Sequence, residues 1–526
     1  MVLGVYLFRL STTNGLNADP ASNLLYAADI ARGNWLLHGW TLPPDSYWFT
    51  DVLIYMVALP ILGLNPVLLY VVPVAICLAL IAALVVVSTT GAKLGPTIPF
   101  VALLPVLPII FPSPAMISQV LMGPFHTGTL VAALVSTLAL YHAQKMIDHA
   151  LQRWLLAGFA LIVLTAAGVS DPYTTIVAVV PIAVVSLARV LAAQRPVERR
   201  RSLLSLCTGA AAWLGTLGCG SLVRHLGGAT IIPFGASTIS YAQIGQSVSN
   251  LGRALLDLAG GNVFGQGINQ NLAPAALRLT YLAAAMVATW LALRDEMRSA
   301  STHRSPEDWL TTVLAAAAAF VFLGNVLGTA NEDIRYRLPL LLLAGVVLAR
   351  RFGALLAPWL SRQKGLAAGL GVALILVYAG PVGQYLHHHP ASEYNRKDVA
   401  LARWLAAHGL HYGYGGYWEA SLVTVESQGR VMVRPVVSTK INQPGLVPSD
   451  VPSSGWRISP YNWMSKNTWY SATHPANFLV FDPSSQWDRD SGVTLTIATQ
   501  TFGRPSHVYQ GVGQFTVLVW DGPLHF

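Results

Sequence analysis

The feature that most constrains this chain is a ladder of apolar segments, each near the length of a bilayer crossing, separated by short polar loops. A helix that spans the hydrocarbon core needs about 20 predominantly apolar residues. Candidates run at 67–88, 97–112, 126–144, 154–169, 174–192, 203–222, 276–293, 309–327, 338–349 and 366–384. The opening MVLGVYLFRL is too short for a full crossing and lacks a basic leader and a small-residue cleavage site, so it reads as the tail of a first helix. With it the count is about eleven. Segment 52–64, DVLIYMVALPILG, is bracketed by Asp51 and Asn65-Pro66 and reads as an interfacial or re-entrant helix, because counting it as a crossing breaks the alternation of loop charge.

Of the 526 residues, 54% are hydrophobic and only 10% are charged, a balance that nearly excludes a water-soluble protein. The net charge of +9 does not point to nucleic acid. The basic residues fall in short runs at Lys93, at Lys145 with Arg153, at Arg195 to Arg201, at Arg294 to Arg304 and at Arg350 to Lys364. Such runs, on alternate sides of successive segments, mark cytoplasmic loops. The remaining loops, chiefly 11–66, 113–125, 170–173, 223–275 and 328–337, then face outward together with everything after 385. Cys77, Cys207 and Cys219 all lie in apolar stretches and read as small buried hydrophobes.

The chain divides into an all-α polytopic membrane domain over 1–385 and a soluble α/β domain over 386–526 on the outer, extracytoplasmic side. In the latter a charged helix, NRKDVALARWLAAHG, precedes β-type runs such as GRVMVRPVV, NFLVFD and QFTVLVWD between Gly, Pro and Ser turns. No internal repeat is visible, which argues against a transporter built from paired inverted halves.

The first outer loop concentrates Asp19, Asp29, Asp45 and Asp51 with Trp35, Trp40 and Trp48, a density typical of a binding loop. Asp19 precedes a segment of helical spacing and can cap it. Asp171, in Ser170-Asp171-Pro172-Tyr173, is an ionisable group near membrane depth and equally a cap for a helix begun by proline. Arg335 and Arg337, in Asp333-Ile334-Arg335-Tyr336-Arg337, carry the planar fork that suits phosphate, or they pair with Glu332 and Asp333. His126 stands at a helix end where it can donate to a phosphate or act as a cap. The stretch from His411 to Glu419, rich in Tyr and Trp, suits either stacking on sugar rings or a domain core. His387 to His389 with Glu393 form a weak metal-type cluster. There is no Walker loop, dinucleotide fingerprint, His-Glu-x-x-His or nucleophile elbow.

The membrane-adjacent Asp19, the helix Tyr26-Ala-Ala-Asp-Ile-Ala-Arg-Gly33-Asn-Trp35, then Gly39-Trp40 and a Pro-rich turn together resemble the first external loop of GT-C glycosyltransferases, in particular the protein O-mannosyltransferase and aminoarabinose transferase group. Where relatives often carry Glu after the aspartate, this chain has Pro20. The resemblance implies a multi-pass protein of the cell membrane, of bacterial inner-membrane type. It implies inverting transfer of a sugar from a polyprenyl-phosphate donor to an extracytoplasmic hydroxyl on a lipid, polysaccharide or protein. Asp19 is the matching base, Asp171 the choice for a second carboxylate that orients the acceptor or holds a divalent metal ion, and Arg335 with Arg337 and His126 the contacts to donor phosphate. Asp45, Asp51 and Trp40 complete the substrate loop. A flippase for a lipid-linked saccharide and an inactive envelope scaffold are the competing expectations.

Overall fold

The computed structural model describes residues 1–91, 98–123, 125–146, 148–233, 237–265, 271–298, 305–328, 333–389, 394–440 and 455–526. Lys93, Pro124, Glu332 and Glu393 lie outside the described residues.

The chain is mostly helical up to about residue 390. It opens with α1 (Val2–Ser11), α2 (Ala18–Ala31) and α3 (Leu53–Leu62), the last entered through a π-turn at Trp48–Val52. Next come α4 (Leu68–Thr89), α5 (Ile98–Leu103), α6 (Leu107–Ile110), α7 (Pro114–Leu121), α8 (Thr127–Lys145), α9 (Ala150–Ser170) and α10 (Val180–Ala192). The helical part continues with α11 (Pro196–His225), α12 (Ile244–Ala259), α13 (Leu272–Arg298), α14 (Pro306–Leu327), α15 (Leu338–Arg362) and α16 (Lys364–His388).

Six helices among the described residues are long and apolar enough to cross a membrane: α4, α9, α10 with its π-turn, α11, α13 and α14. The expected segment 97–112 is not one straight crossing. Val101–Ile110 and Pro114–Leu121 meet at 95°, because Pro105, Pro108 and Pro114 each lack the N–H that would continue the ladder. Segment 48–62 is an apolar helix too short to span, ended by Gly63 at φ +64°; its exposed Ile54, Val57 and Ile61 suit an interfacial position. Cys77 is buried as expected, but Cys207 and Cys219 are exposed on α11.

The basic turns gather at one end of the bundle. Lys145 pairs with Glu307 at 3.0 Å, Arg189 with Glu296 at 2.7 Å, and Arg351 with Asp295 at 2.5 Å. Arg350 donates to the carbonyls of Val87 and Thr90, closing the last turn of α4. The loops at 40–51, 171–174 and 333–337 lie at the opposite end, where Tyr173 Oη donates to the Tyr336 carbonyl at 2.6 Å and Ser46 Oγ to that of Ser170 at 3.2 Å.

The C-terminal region folds as a separate sheet-containing layer. It starts with α17 (Tyr394–Ala407), β3 (Tyr412–Gly415), α18 (Tyr417–Glu426) and β4 (Met432–Lys440). It goes on with β5 (Trp456–Pro460), β6 (Ser465–Lys466), β7 (Ala476–Phe481), α19 (Gln486–Asp490), α20 (Leu495–Phe502), β8 (His507–Val512) and β9 (Phe515–Leu524). The strand order is β5-β4-β3-β7-β9-β8, parallel at β4-β3-β7 and antiparallel elsewhere. The charged helix and all three β-type runs read from the sequence are present. One face of the sheet buries Leu401, Leu405 and Val423 of α17 and α18, the other Ile497 and Ala498 of α20.

This layer is fastened to the loop that follows α2. β1 (Trp40–Leu42) pairs parallel with β2 (Thr230–Ile231) and antiparallel with β6, setting Trp40 opposite Lys466. Lys466 Nζ lies 2.8 Å from Asp29 Oδ2, which also accepts from Trp40 Nε1 at 2.7 Å. A shared core joins Leu24 and Ala27 of α2 to Leu422 and Val425 of α18 and to Trp469, with Ser22 Oγ donating to Ser421 Oγ at 2.8 Å across the seam.

Candidate active site

At this seam lies a cavity of about 380 Å³. Asp19, Asp45, Asp333 and Arg335 line it from the helical part, and Tyr417, Trp418, Tyr461, Trp463 and Trp487 from the C-terminal layer.

Asp19 is not the cap of its helix. Asn17 holds that place, its side chain accepting from the Asp19 N–H at 3.0 Å, and Asp19 in the first turn is left free to face the cavity. Oδ1 accepts a hydrogen bond from Tyr417 Oη. Burial raises the proton affinity of the Asp19 carboxyl above the usual carboxylate range. The Tyr417 hydroxyl and Arg335 pull it back down, while Asp45 and Asp333 push it up. Burial, with the carboxylate beside it, raises the Tyr417 phenol far above its ordinary value, so Tyr417 is the donor.

Arg335 stands on a 3₁₀ turn at Ile334–Arg337, capped by Asp333, whose Oδ1 accepts from the Arg335 N–H at 3.0 Å. Behind the turn, the Tyr336 carbonyl accepts from Tyr173 Oη at 2.6 Å and Asn325 Nδ2 at 3.0 Å, which fixes where Arg335 emerges. Its Nε lies 2.8 Å from Asp333 Oδ2 and its Nη1 lies 3.5 Å from Asp45 Oδ2. Burial works against the charge, but Tyr47, Asp45, Tyr336 and Asp333 outweigh it and hold the guanidinium firmly protonated. Asp45 takes a further bond from Tyr47 Oη at 3.1 Å. Its own proton affinity is raised, by burial first, against the opposing pull of Arg335 and His126.

The other candidates fall elsewhere. Arg337 is turned away from the cavity: it is buried and donates through Nη1 to the Asn250 carbonyl at 3.3 Å on α12. In a 3₁₀ helix, with about three residues per turn, side chains two positions apart cannot share one face as they do in a strand. His126 and Asp171 form a buried pair just behind the site, with His126 Nδ1 2.6 Å from Asp171 Oδ2, and neither lines the cavity. The same oxygen accepts from Thr129 Oγ1 at 2.6 Å, and Oδ1 accepts from the Tyr173 N–H at 3.0 Å. Burial disfavours the Asp171 charge, yet His126 and these donors together hold the carboxyl below its usual range. Asp171 is therefore a fully engaged carboxylate that locks His126, whose backbone is left-handed at φ +62°. Its oxygens do not fit a divalent-metal role, and among the described residues no group of three or more His, Cys, Asp or Glu side chains is placed to hold a metal.

Asp51 is buried in the π-turn against α8, where a Cβ at Gly128 would lie 2.5 Å from its Oδ2. Burial pushes its carboxyl up to about 7. Trp40 is buried between Tyr26 and Trp469 rather than open to the cavity.

The aromatic wall was only half visible in the sequence. In the stretch from His411 to Glu419, Tyr412 and Tyr414 belong to the sheet core, whereas Tyr417 and Trp418 line the cavity. Tyr461, Trp463 and Trp487 carry no local signal; they reach the site because Tyr417 packs on Tyr461 at 5.3 Å and Trp418 on Trp487 at 5.8 Å between ring centres. The Asp29–Lys466 pair was likewise invisible to local pattern.

Neither family models nor curated proteins give a match to this chain. The class that the fold defines is a mainly helical protein with helices of membrane-spanning length and a C-terminal sheet layer over one end.

Proposed function

We propose that this chain is a membrane glycosyltransferase that moves a sugar from a polyprenyl-phosphate donor to a hydroxyl of an acceptor outside the cytoplasm. The observation that carries the reading is one cavity in which a carboxylate of raised proton affinity, Asp19, and a firmly charged arginine, Arg335, meet at the loop end of apolar helices. Sugar transfer from a phosphate needs both: a base for the acceptor proton and a cation for the departing phosphate.

In this reading Tyr417 engages Oδ1 of Asp19 and orients the carboxylate, leaving Oδ2 to accept the proton. The acceptor oxygen attacks the anomeric carbon as the carbon–phosphate-oxygen bond breaks, with inversion and no covalent adduct on the protein. The electron pair goes to the phosphate, which Arg335 meets with its fork while Asp45 and Asp333 hold the guanidinium in place. The Trp418, Tyr461 and Trp487 rings offer flat faces to the apolar side of a sugar ring. The basic turns at the far end of the bundle support a cytoplasmic assignment there, and so an outward-facing cavity.

The test is transfer from a panel of radiolabelled polyprenyl-phosphate sugars by purified protein, with envelope lipid extract as acceptor. Transfer that collapses in Asp19→Asn supports the assignment; transfer that persists in that variant removes Asp19 as base.

A further inference from the structure

A second recess lies at the opposite end of the helices. It opens between the end of α8, the start of α9 and the start of α11, with a volume of about 500 Å³. Arg153, Arg200 and Arg201 stand at its head, and among the described residues no carboxylate lines it. Arg201 Nε is buried without a hydrogen-bond partner, and Arg153 lies over the Trp154 ring at 5.5 Å.

Below that head the recess becomes a trough. Small side chains line it there, Ala157 and Gly158 on α9 and Thr208 and Ala211 on α11, together with Leu161 and Leu204. At 1.5 Å per residue it runs roughly 12 Å along α9 and 16 Å along α11, from the basic end into the apolar depth. Trp154 and Leu203 of the lining are exposed, as are Leu151 and Leu155 beside them on α9, and both helices are apolar and long enough to cross a membrane.

A cationic head over an apolar trough that opens sideways is complementary to one kind of ligand. We propose that this groove is a binding site for an anionic phospholipid, its phosphate held by Arg200 and Arg201 with Arg153, and an acyl chain lying in the trough. Guanidinium forks match phosphate oxygens, and basic recesses between membrane helices are suited to anionic head groups. A zwitterionic lipid would set its own ammonium against the same three cations. The site is independent of the sugar-transfer reading and survives its failure.

Native mass spectrometry of the full chain, titrated with phosphatidylglycerol or with phosphatidylcholine of the same acyl chains, reads the preference. Phosphatidylglycerol is expected to bind about tenfold more tightly, and Arg200→Gln with Arg201→Gln to erase that margin. Arg199→Gln, in the same basic run but outside the groove, leaves binding unchanged. Gly158→Leu reports on the trough: nothing lies within 4 Å of a Cβ there, so the variant folds, yet its side chain fills the acyl path and weakens binding with every arginine intact. Equal affinity for the two lipids, or an Arg199→Gln loss as large as the pair's, overturns the proposal. So does glycerol phosphate displacing the lipid at matched concentration, which would make this a site for a free phosphate.

Discussion

At the scale of single residues, the proposal rests on how Asp19 is tuned, and the tuning has a sign. A base works ionised, so transfer falls as pH drops through the Asp19 pKa, and burial places that acid limb above the ordinary carboxylate range. Tyr417 and Arg335 lower this pKa, whereas Asp45 raises it. Tyr417→Phe is therefore expected to move the acid limb of the rate profile to higher pH, and Asp45→Asn to move it lower. A profile unmoved by both variants would remove Asp19 as the titrating group. Asp19→Asn itself should cost about 10²–10⁴-fold in turnover with folding preserved. Arg335→Lys keeps the charge but loses the paired donors and the contact to Asp333, so turnover should fall by roughly 10²-fold while the acid limb stays close to its place.

At the scale of elements, the site depends on two short turns held from behind. The 3₁₀ turn that presents Arg335 is pinned by Tyr173 and Asn325 at a single carbonyl. The start of α8 is tied to the α9–α10 turn by His126 and Thr129, both bonded to Asp171. Asp171→Ala leaves the donors of His126, Thr129 and Tyr173 without their acceptor in a buried position. The expected cost is roughly 3 kcal/mol, read as a drop in thermal unfolding midpoint in detergent. If Asp171 were instead a catalytic carboxylate, Asp171→Asn would abolish transfer at unchanged stability. Tyr173→Phe removes one bond to the Tyr336 carbonyl, about 1 kcal/mol, and should lower turnover more than it raises acceptor KM.

At the scale of the whole molecule, the C-terminal layer forms part of the site rather than an appendage. It supplies Tyr417 and the ring wall, and it is fixed to the helical part by the β1–β6 pairing and by Lys466 with Asp29. A double-mutant cycle on Asp29→Ala and Lys466→Ala should give a coupling of about 1 kcal/mol, since both side chains are largely shielded. The single variants should raise acceptor KM by loosening the wall. Trp487→Ala should do the same without moving the acid limb. An unchanged KM in Trp487→Ala would take the rings out of acceptor binding.

What the sequence determined by itself is what hydropathy and local spacing encode. The apolar segments at 67–88, 154–169, 174–192, 203–222, 276–293 and 309–327 became spanning-length helices, and the three β-type runs became strands. Both outcomes follow from backbone hydrogen bonding that closes within a segment or pairs by alternation. The residue types of the site, an aspartate in the first loop and an arginine in the late one, were legible too. Which of those residues meet was decided only by the tertiary structure. Asp19 and Tyr417 are 398 positions apart and come together because α2 and α18 bury a common apolar seam. Asp171 looked available until His126 and Thr129 closed on it, and Arg337 shared a motif with Arg335 until the turn sent its side chain to α12. Periodicity specifies the face of one element, whereas a site is made where faces of distant elements dock, and that docking depends on shape, burial and partner geometry that no local pattern contains.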